Sequence, residues 1–300
     1  LATLALGASA LAAPPASTPT EPFGYCLNTS TIRGQKLTLP QTVDVAAQAG
    51  YHAIEPWIGE LDQFVQAGGT LKDLAKQLRD HGLVVPDAIG FPEWIVDDDA
   101  KRRKGLDEAK RCFDLVQQLG CSRLAAPPVG ATQQPGLDLL KAADRYRALV
   151  ELGATHGVTP LVELWGFSKN LSRLGEVLLV AIESGLPQAA ILPDVYHLRK
   201  GGSDFGGLPL LRASTIGIFH VNDYPDQPDR AKLTDADRVY PGDGVAPLKD
   251  IFRTLHTAGY RGMLSIELFN RTYWQQDAAL VARTGLAKLR AVVQASLGEK

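Results

Sequence analysis

From residue 23 onward the chain alternates, eight times over, between short apolar runs and amphipathic stretches, several of them closed by glycine. Few folds tolerate that rhythm. Phe23–Asn28, His52–Ile58, Leu83–Ile89 and Arg123–Ala126 read as strands one to four, and Thr159–Leu164, Ala190–Pro193, Ile216–Val221 and Met263–Ile266 as strands five to eight. Leu39–Ala49, Leu71–Asp80, Lys101–Leu119, Leu137–His156, Leu174–Ser184, Leu208–Arg212, Leu248–Ala258 and Ala278–Gln294 read as helices, with Gly50, Gly82, Gly120 and Gly157 as stop signals. A strand followed by a crossover helix returns a parallel neighbour. Eight such units over residues 23–300 predict an α/β chain folded as one (β/α)8 TIM barrel. No G-x-G-x-x-G and no P-loop is present, so the open nucleotide-binding sheets lack their phosphate cradle.

The first 22 residues stand apart. Leu1–Ala13 is an apolar stretch of small residues ending in Ala-Leu-Ala-Ala, the pattern of a signal-peptide core and cleavage site. It is too short to span a bilayer, and the Pro/Thr/Ser segment Pro14–Pro22 reads as an extended linker. These features predict an exported bacterial protein, periplasmic or secreted. Cysteine usage is neutral on that point: Cys26, Cys112 and Cys121 form no zinc or redox spacing, and buried thiols are expected. A net charge of −2 gives no global attraction to nucleic acid or to anionic lipid, and no membrane span is expected. The expected partner is a small molecule, with self-association left open.

A barrel places its chemistry at the C-terminal ends of its strands, around one mouth. Glu163, Asp194, His220 and Glu267 fall at the ends of strands five to eight, each after an apolar run and with no lysine or arginine in the same segments to pair them. Three buried carboxylates and an imidazole are costly together unless a cation compensates them. A hard or borderline divalent ion takes that mixture of ligands.

Other residues gather near the same mouth. Glu55 ends strand two and Asn28 ends strand one. His197, three residues after Asp194 in the following loop, could be a fifth ligand or hold a substrate hydroxyl. Asp223 could orient the His220 ring or lie in a surface loop. Arg238 precedes a Pro-Gly-Asp-Gly turn that could carry its guanidinium over the mouth. Trp57, Trp94 and Trp165 follow strands two, three and five, where rings often stack on sugar faces.

At these residues the chain resembles the xylose-isomerase-like TIM-barrel superfamily of sugar isomerases and epimerases. Leu233–Gly244 (LTDADRVYPGDG), Ser265–Phe269 (SIELF) and Tyr273 are most similar to its inosose (2-keto-myo-inositol) isomerases, with weaker likeness through Gly50–Glu55 and Leu71–Ala75. The resemblance implies one divalent ion, manganese, magnesium, cobalt or zinc, held by Glu163, Asp194, His220 and Glu267. It implies Glu163 and Glu267 as the acid/base pair, and His197 and Arg238 as contacts to substrate oxygens. Thr29 and Phe167 stand where the inosose isomerases carry a glutamate and a histidine, which implies a different substrate.

The reaction so implied is isomerisation or epimerisation of a keto-sugar or keto-polyol. The two glutamates would move a proton at the carbon beside a carbonyl, through an enediolate stabilised by the metal. The same apparatus could expel a β-hydroxyl or a glycosyl group, which makes a dehydratase or keto-glycoside lyase the nearest alternative. An endonuclease IV-like nuclease would need further histidines at the ends of strands one, three or four, and none is there. A sugar-binding barrel without catalysis is the remaining alternative.

Overall fold

The computed structural model of the chain describes residues 21–203 and 205–298, so the expected signal segment and nearly all of the linker lie outside the described residues. In chain order the strands are β1 (Gly24–Asn28), β2 (Ala53–Glu55), β3 (Arg123–Ala126), β4 (Thr159–Glu163), β5 (Ala190–Leu192), β6 (Phe219–Val221) and β7 (Met263–Ile266). The α-helices are α1 (Leu39–Ala49), α2 (Ile58–Gln66), α3 (Leu71–Asp80), α4 (Asp99–Gln117), α5 (Leu139–Ala154), α6 (Leu174–Glu183), α7 (Val195–Gly201), α8 (Leu248–Thr257) and α9 (Ala278–Leu297).

The strands pair in parallel in two arcs, β2-β1-β7-β6 and β3-β4-β5. Two seams close them into a barrel. Between β2 and β3 lies the segment expected as the third strand. It pairs only through the bridges Ala53↔Val84 and Trp57↔Ile89, and reaches β3 through the Ala125 N–H on the Ala88 carbonyl at 2.9 Å. Leu83–Ile89 is therefore a stave of the barrel but not a continuous strand. Pro86 sits inside it, and proline can donate nothing to a ladder. Between β5 and β6 the bridges Ile191↔Ile216 and Asp194↔His220 complete the circle.

The barrel interior is filled by Ile89, Ala125, Leu161, Ala190, Leu192 and Ile218, which form their own cluster. The helices bury one stripe each against the outside. In α3 the stripe is Leu71, Leu74, Ala75 and Leu78, the i, i+3, i+4, i+7 pattern of an amphipathic helix.

Two short helices escape the sequence rhythm, and both begin at site residues. α2 starts just past β2, where Glu60 in its first turn accepts the Trp57 N–H at 3.1 Å, so the expected strand His52–Ile58 stops at Glu55. α7 is capped by Asp194, whose Oδ1 accepts the His197 N–H at 2.6 Å. His197 is thus fixed on a helix rather than in a loop. The expected helix Leu208–Arg212 is a 3-10 segment, Phe205–Leu210, with Pro209 inside it. No helix among the described residues is long and apolar enough to cross a membrane.

Candidate active site

Asp194, His220 and Glu267 converge at the mouth, with one ligand atom from each lying within 4.8 Å of the others. All three are buried. Two lie just past strand ends; His220 is the middle residue of β6, where period-two alternation turns it inward. Its Nδ1 lies 3.3 Å from Glu267 Oε2 and 3.8 Å from Asp194 Oδ2, yet makes no hydrogen bond. Its Nε2 lies 2.9 Å from Glu55 Oε1.

Glu55 does not face a substrate. Its second oxygen accepts from Asn28 Nδ2 at 2.8 Å and from Ser265 Oγ at 2.6 Å, and the residue is fully buried. It holds the imidazole so that Nδ1 looks toward the two carboxylates. Asn28 is equally committed: its amide also reaches Glu267 Oε1 at 3.3 Å, and its oxygen accepts from Trp57 Nε1 at 2.9 Å. Both residues are supports of the site rather than substrate contacts.

Arg238 is the largest departure from a mouth-spanning guanidinium. It is 1% exposed, and its Nη1 donates to Asp194 Oδ2 at 3.0 Å and Glu267 Oε2 at 2.8 Å. Its Nη2 donates to Asp235 Oδ1 at 2.7 Å and lies 3.1 Å from His197 Nε2. A cation thus reaches the acidic cluster from outside the strand segments. The turn after it is placed by Asp223, whose carboxylate accepts the N–H groups of Gly242 (3.0 Å) and Ala246 (2.8 Å). Asp223 shapes that turn and leaves His220 to Glu55. Gly244 is required there, because a Cβ would collide with the Tyr224 carbonyl and the Asp223 side chain.

Glu163 ends β4 but stands outside the three-residue cluster. Burial pushes its carboxyl up to about 8, against the pull of His220, and its Oε2 is buried without a partner. Glu267 is the opposite. Burial would raise it, but His220 and Arg238 override burial and hold it at about 2. Burial lowers His197 to about 4, so its ring is neutral at ordinary pH.

Of the tryptophans, Trp94 is a core residue. It is fully buried, packs against Tyr146 at a ring distance of 5.8 Å and donates its indole N–H to the Pro127 carbonyl. Trp165 is at the mouth, 5.2 Å from the half-exposed ring of Phe167, which in turn lies 5.9 Å from His197. The buried Thr29 hydroxyl donates to Glu60.

A model of the xylose isomerase-like TIM barrel family matches residues 43–292. The chain belongs to that family. An inosose isomerase from Bacillus velezensis is 25% identical over 273 residues, which cover 89% of this chain and 96% of the relative. A 3-dehydroshikimate dehydratase from Pseudomonas aeruginosa is 25% identical over 259 residues, covering 84% of this chain and 39% of the longer relative. Among solved structures, that of the IOLI protein with a zinc atom bound superposes with a TM-score of 0.86 at 21% identity, covering 92% of this chain and all of that one.

The donor set of this family member suits a divalent ion on its own geometry. His220 Nδ1 and Glu163 Oε2 are buried polar atoms that make no hydrogen bond; with the imidazole neutral, Nδ1 faces Glu267 Oε2 at 3.3 Å with nothing between them, an arrangement that is expensive unless a cation joins it. Imidazole with carboxylates is the ligand chemistry of zinc and manganese.

Three participants were not anticipated. Asn222 donates to Asp194 Oδ2 at 2.9 Å and accepts the Tyr196 N–H at 2.8 Å. Ser265 supports Glu55, and Asp87 lies fully buried with both oxygens unpartnered. The period of two was the available signal: Asn222 lies two after His220, and Ser265 two before Glu267, on the same faces.

Proposed function

We propose that this enzyme is a divalent-metal-dependent isomerase or epimerase of a keto-sugar or keto-polyol. The observation that carries the reading is the convergence of Asp194, His220 and Glu267, with the unpartnered His220 Nδ1 directed at the two carboxylates. Asp194, His220 and Glu267, with Glu163 as the fourth, would hold the ion. When bound, such an ion supplies Lewis-acid polarisation of a carbonyl beside the reacting carbon.

The chain's own residues do the rest. Glu163 keeps a free oxygen, Oε2, able to take or return a proton at that carbon, and Glu267 serves as its opposite number. Arg238 locks Glu267 and Asp194 in place and retains an unpartnered Nε. His197 retains an unpartnered Nδ1. These two nitrogens are the groups assigned to substrate oxygens. The dehydratase relative supports a second reading, in which the same proton abstraction is followed by loss of a β-substituent. The apolar Leu1–Ala13 stretch supports work outside the cytoplasm.

The deciding experiment is turnover of a panel of inososes and keto-sugars in heavy water with metal-loaded protein. An isomerase or epimerase incorporates deuterium beside the carbonyl and conserves the carbon skeleton and hydroxyl count. A dehydratase loses water, and a lyase releases a second fragment. Full activity after exhaustive chelation refutes the metal requirement.

A further inference from the structure

A chain of rings runs around the mouth from one side of the acidic cluster to the other. Phe269 lies 6.0 Å from Trp57, Trp57 5.3 Å from Phe91, and Phe91 6.0 Å from Trp165. The series continues through Phe167 to His197. Phe269 and His197 both lie against Arg238, so the arc starts and ends at the catalytic cluster. Phe91 and Phe167 are 40% and 44% exposed, an unusual outlay of aromatic surface for one small polar ligand.

Behind the arc lies a cavity of about 780 Å³, between the 3-10 turn Thr29–Gln35 and α2, lined in part by Arg33, Trp57, Gly59, Phe64 and Phe91. That volume is typical of a whole ligand site, roughly 300–1,000 Å³. Trp57 is the wall common to both spaces: its indole N–H is bound to Asn28 inside the catalytic cluster, and its ring borders the cavity. Arg33 lies 3.8 Å from the centre of that ring, and its nearest carboxylate contact is a loose one, Glu60 at 3.6 Å. Its guanidinium donors are therefore available beside an aromatic face.

We propose that this cavity is a subsite for the non-reacting half of a two-part substrate: a keto-sugar joined to a second ring that has a flat apolar face and an oxygen. The inference rests on the reading of the inner cluster as a keto-sugar site. The second ring lies against Phe91 and the part of Trp57 that Arg33 leaves uncovered, and its oxygen accepts from Arg33. An aromatic aglycone and a second sugar share this chemistry, since both offer an apolar face to an indole.

Unreactive ligands separate the subsite from the catalysis. Binding of glucose, p-nitrophenyl β-glucoside and cellobiose is measured by calorimetry on wild type, Gly59→Trp and Arg33→Leu. Gly59 lines the cavity, and a Cβ there meets nothing within 4 Å, so the backbone accepts a side chain at that position and the tryptophan is the bulk placed at the cavity wall. One of the two-ring ligands should bind about 10–30-fold more tightly than glucose, the weight of one stacked ring and one hydrogen bond. Gly59→Trp should remove that advantage and Arg33→Leu should reduce it by the share of the hydrogen bond, while glucose binding stays the same. Preference for the aryl glucoside identifies an aromatic aglycone, and preference for cellobiose a second sugar. Equal binding of all three ligands, or an advantage that survives both substitutions, overturns the proposal. Because no ligand reacts, that result is independent of whether the inner cluster isomerises, epimerises or eliminates.

Discussion

Replacing Glu55 with glutamine tests how the site holds its histidine. The wild-type carboxylate lies 2.9 Å from His220 Nε2 with one oxygen, and takes donors from Asn28 and Ser265 with the other. Glutamine keeps one acceptor and gains a donor, and neither way round fits. With its carbonyl on His220, the new amide N–H2 meets Asn28 Nδ2; the Ser265 hydroxyl can turn to accept, but the Asn28 amide cannot. With its N–H2 on His220, the imidazole must carry its proton on Nδ1, the atom that faces Asp194 and Glu267. The first arrangement leaves a buried donor unpaired, at about 1–3 kcal/mol. That lowers the melting temperature by about 2–12 °C, at about 2–4 °C per kcal/mol. Loss of the group that orients a ligating imidazole should weaken metal binding by about 10–100-fold. Chelator-competition titration with zinc and with manganese, alongside scanning calorimetry, reads both quantities. Wild-type metal affinity together with an unchanged melting temperature would refute the assignment of Glu55 as the support of His220.

Gly244→Ala should destabilise the protein by about 1–3 kcal/mol in urea unfolding, because the added methyl must displace the Tyr224 carbonyl and the Asp223 carboxylate that shape the turn. Arg238→Lys should lower kcat and weaken metal binding more than it raises KM, because one ammonium cannot hold Asp194, Glu267 and Asp235 in place at once; steady-state kinetics with chelator competition reads both. The 3 cysteine thiols are buried, and burial pushes each pKa up, so a thiol reagent should label none in the native protein and 3 per chain in denaturant.

The barrel was legible because its signal is local and repeated. Each apolar run and each glycine stop stands in the sequence beside the element it defines. What failed to show was equally local in cause. Pro86 breaks the ladder of the third stave while the segment still fills its place, so hydropathy alone overstates it. α2 and α7 are only 9 and 7 residues long, too short for a clear period, and each begins beside a strand end where site residues also supply the caps.

The chemistry was legible in part, for a different reason. A carboxylate at a strand end announces itself, and Asp194, His220 and Glu267 do assemble as the spacing suggested. Partnership does not announce itself. Glu55 and His220 are 165 positions apart, so nothing in either segment tells a substrate contact from a support for an imidazole. Trp94, like Trp165, follows an expected strand, and the Pro127 carbonyl and the Tyr146 ring make it a core residue. Arg238 is the sharpest case. No cation lies in the strand segments, which pointed to a metal as compensation for the acids; the turn held by Asp223 delivers a guanidinium to two of them. That guanidinium does not replace a divalent ion, because it leaves His220 Nδ1 and Glu163 Oε2 unpartnered. It neutralises part of the carboxylate charge and fixes the carboxylates in position, which organises the acidic cluster through the chain's own residues.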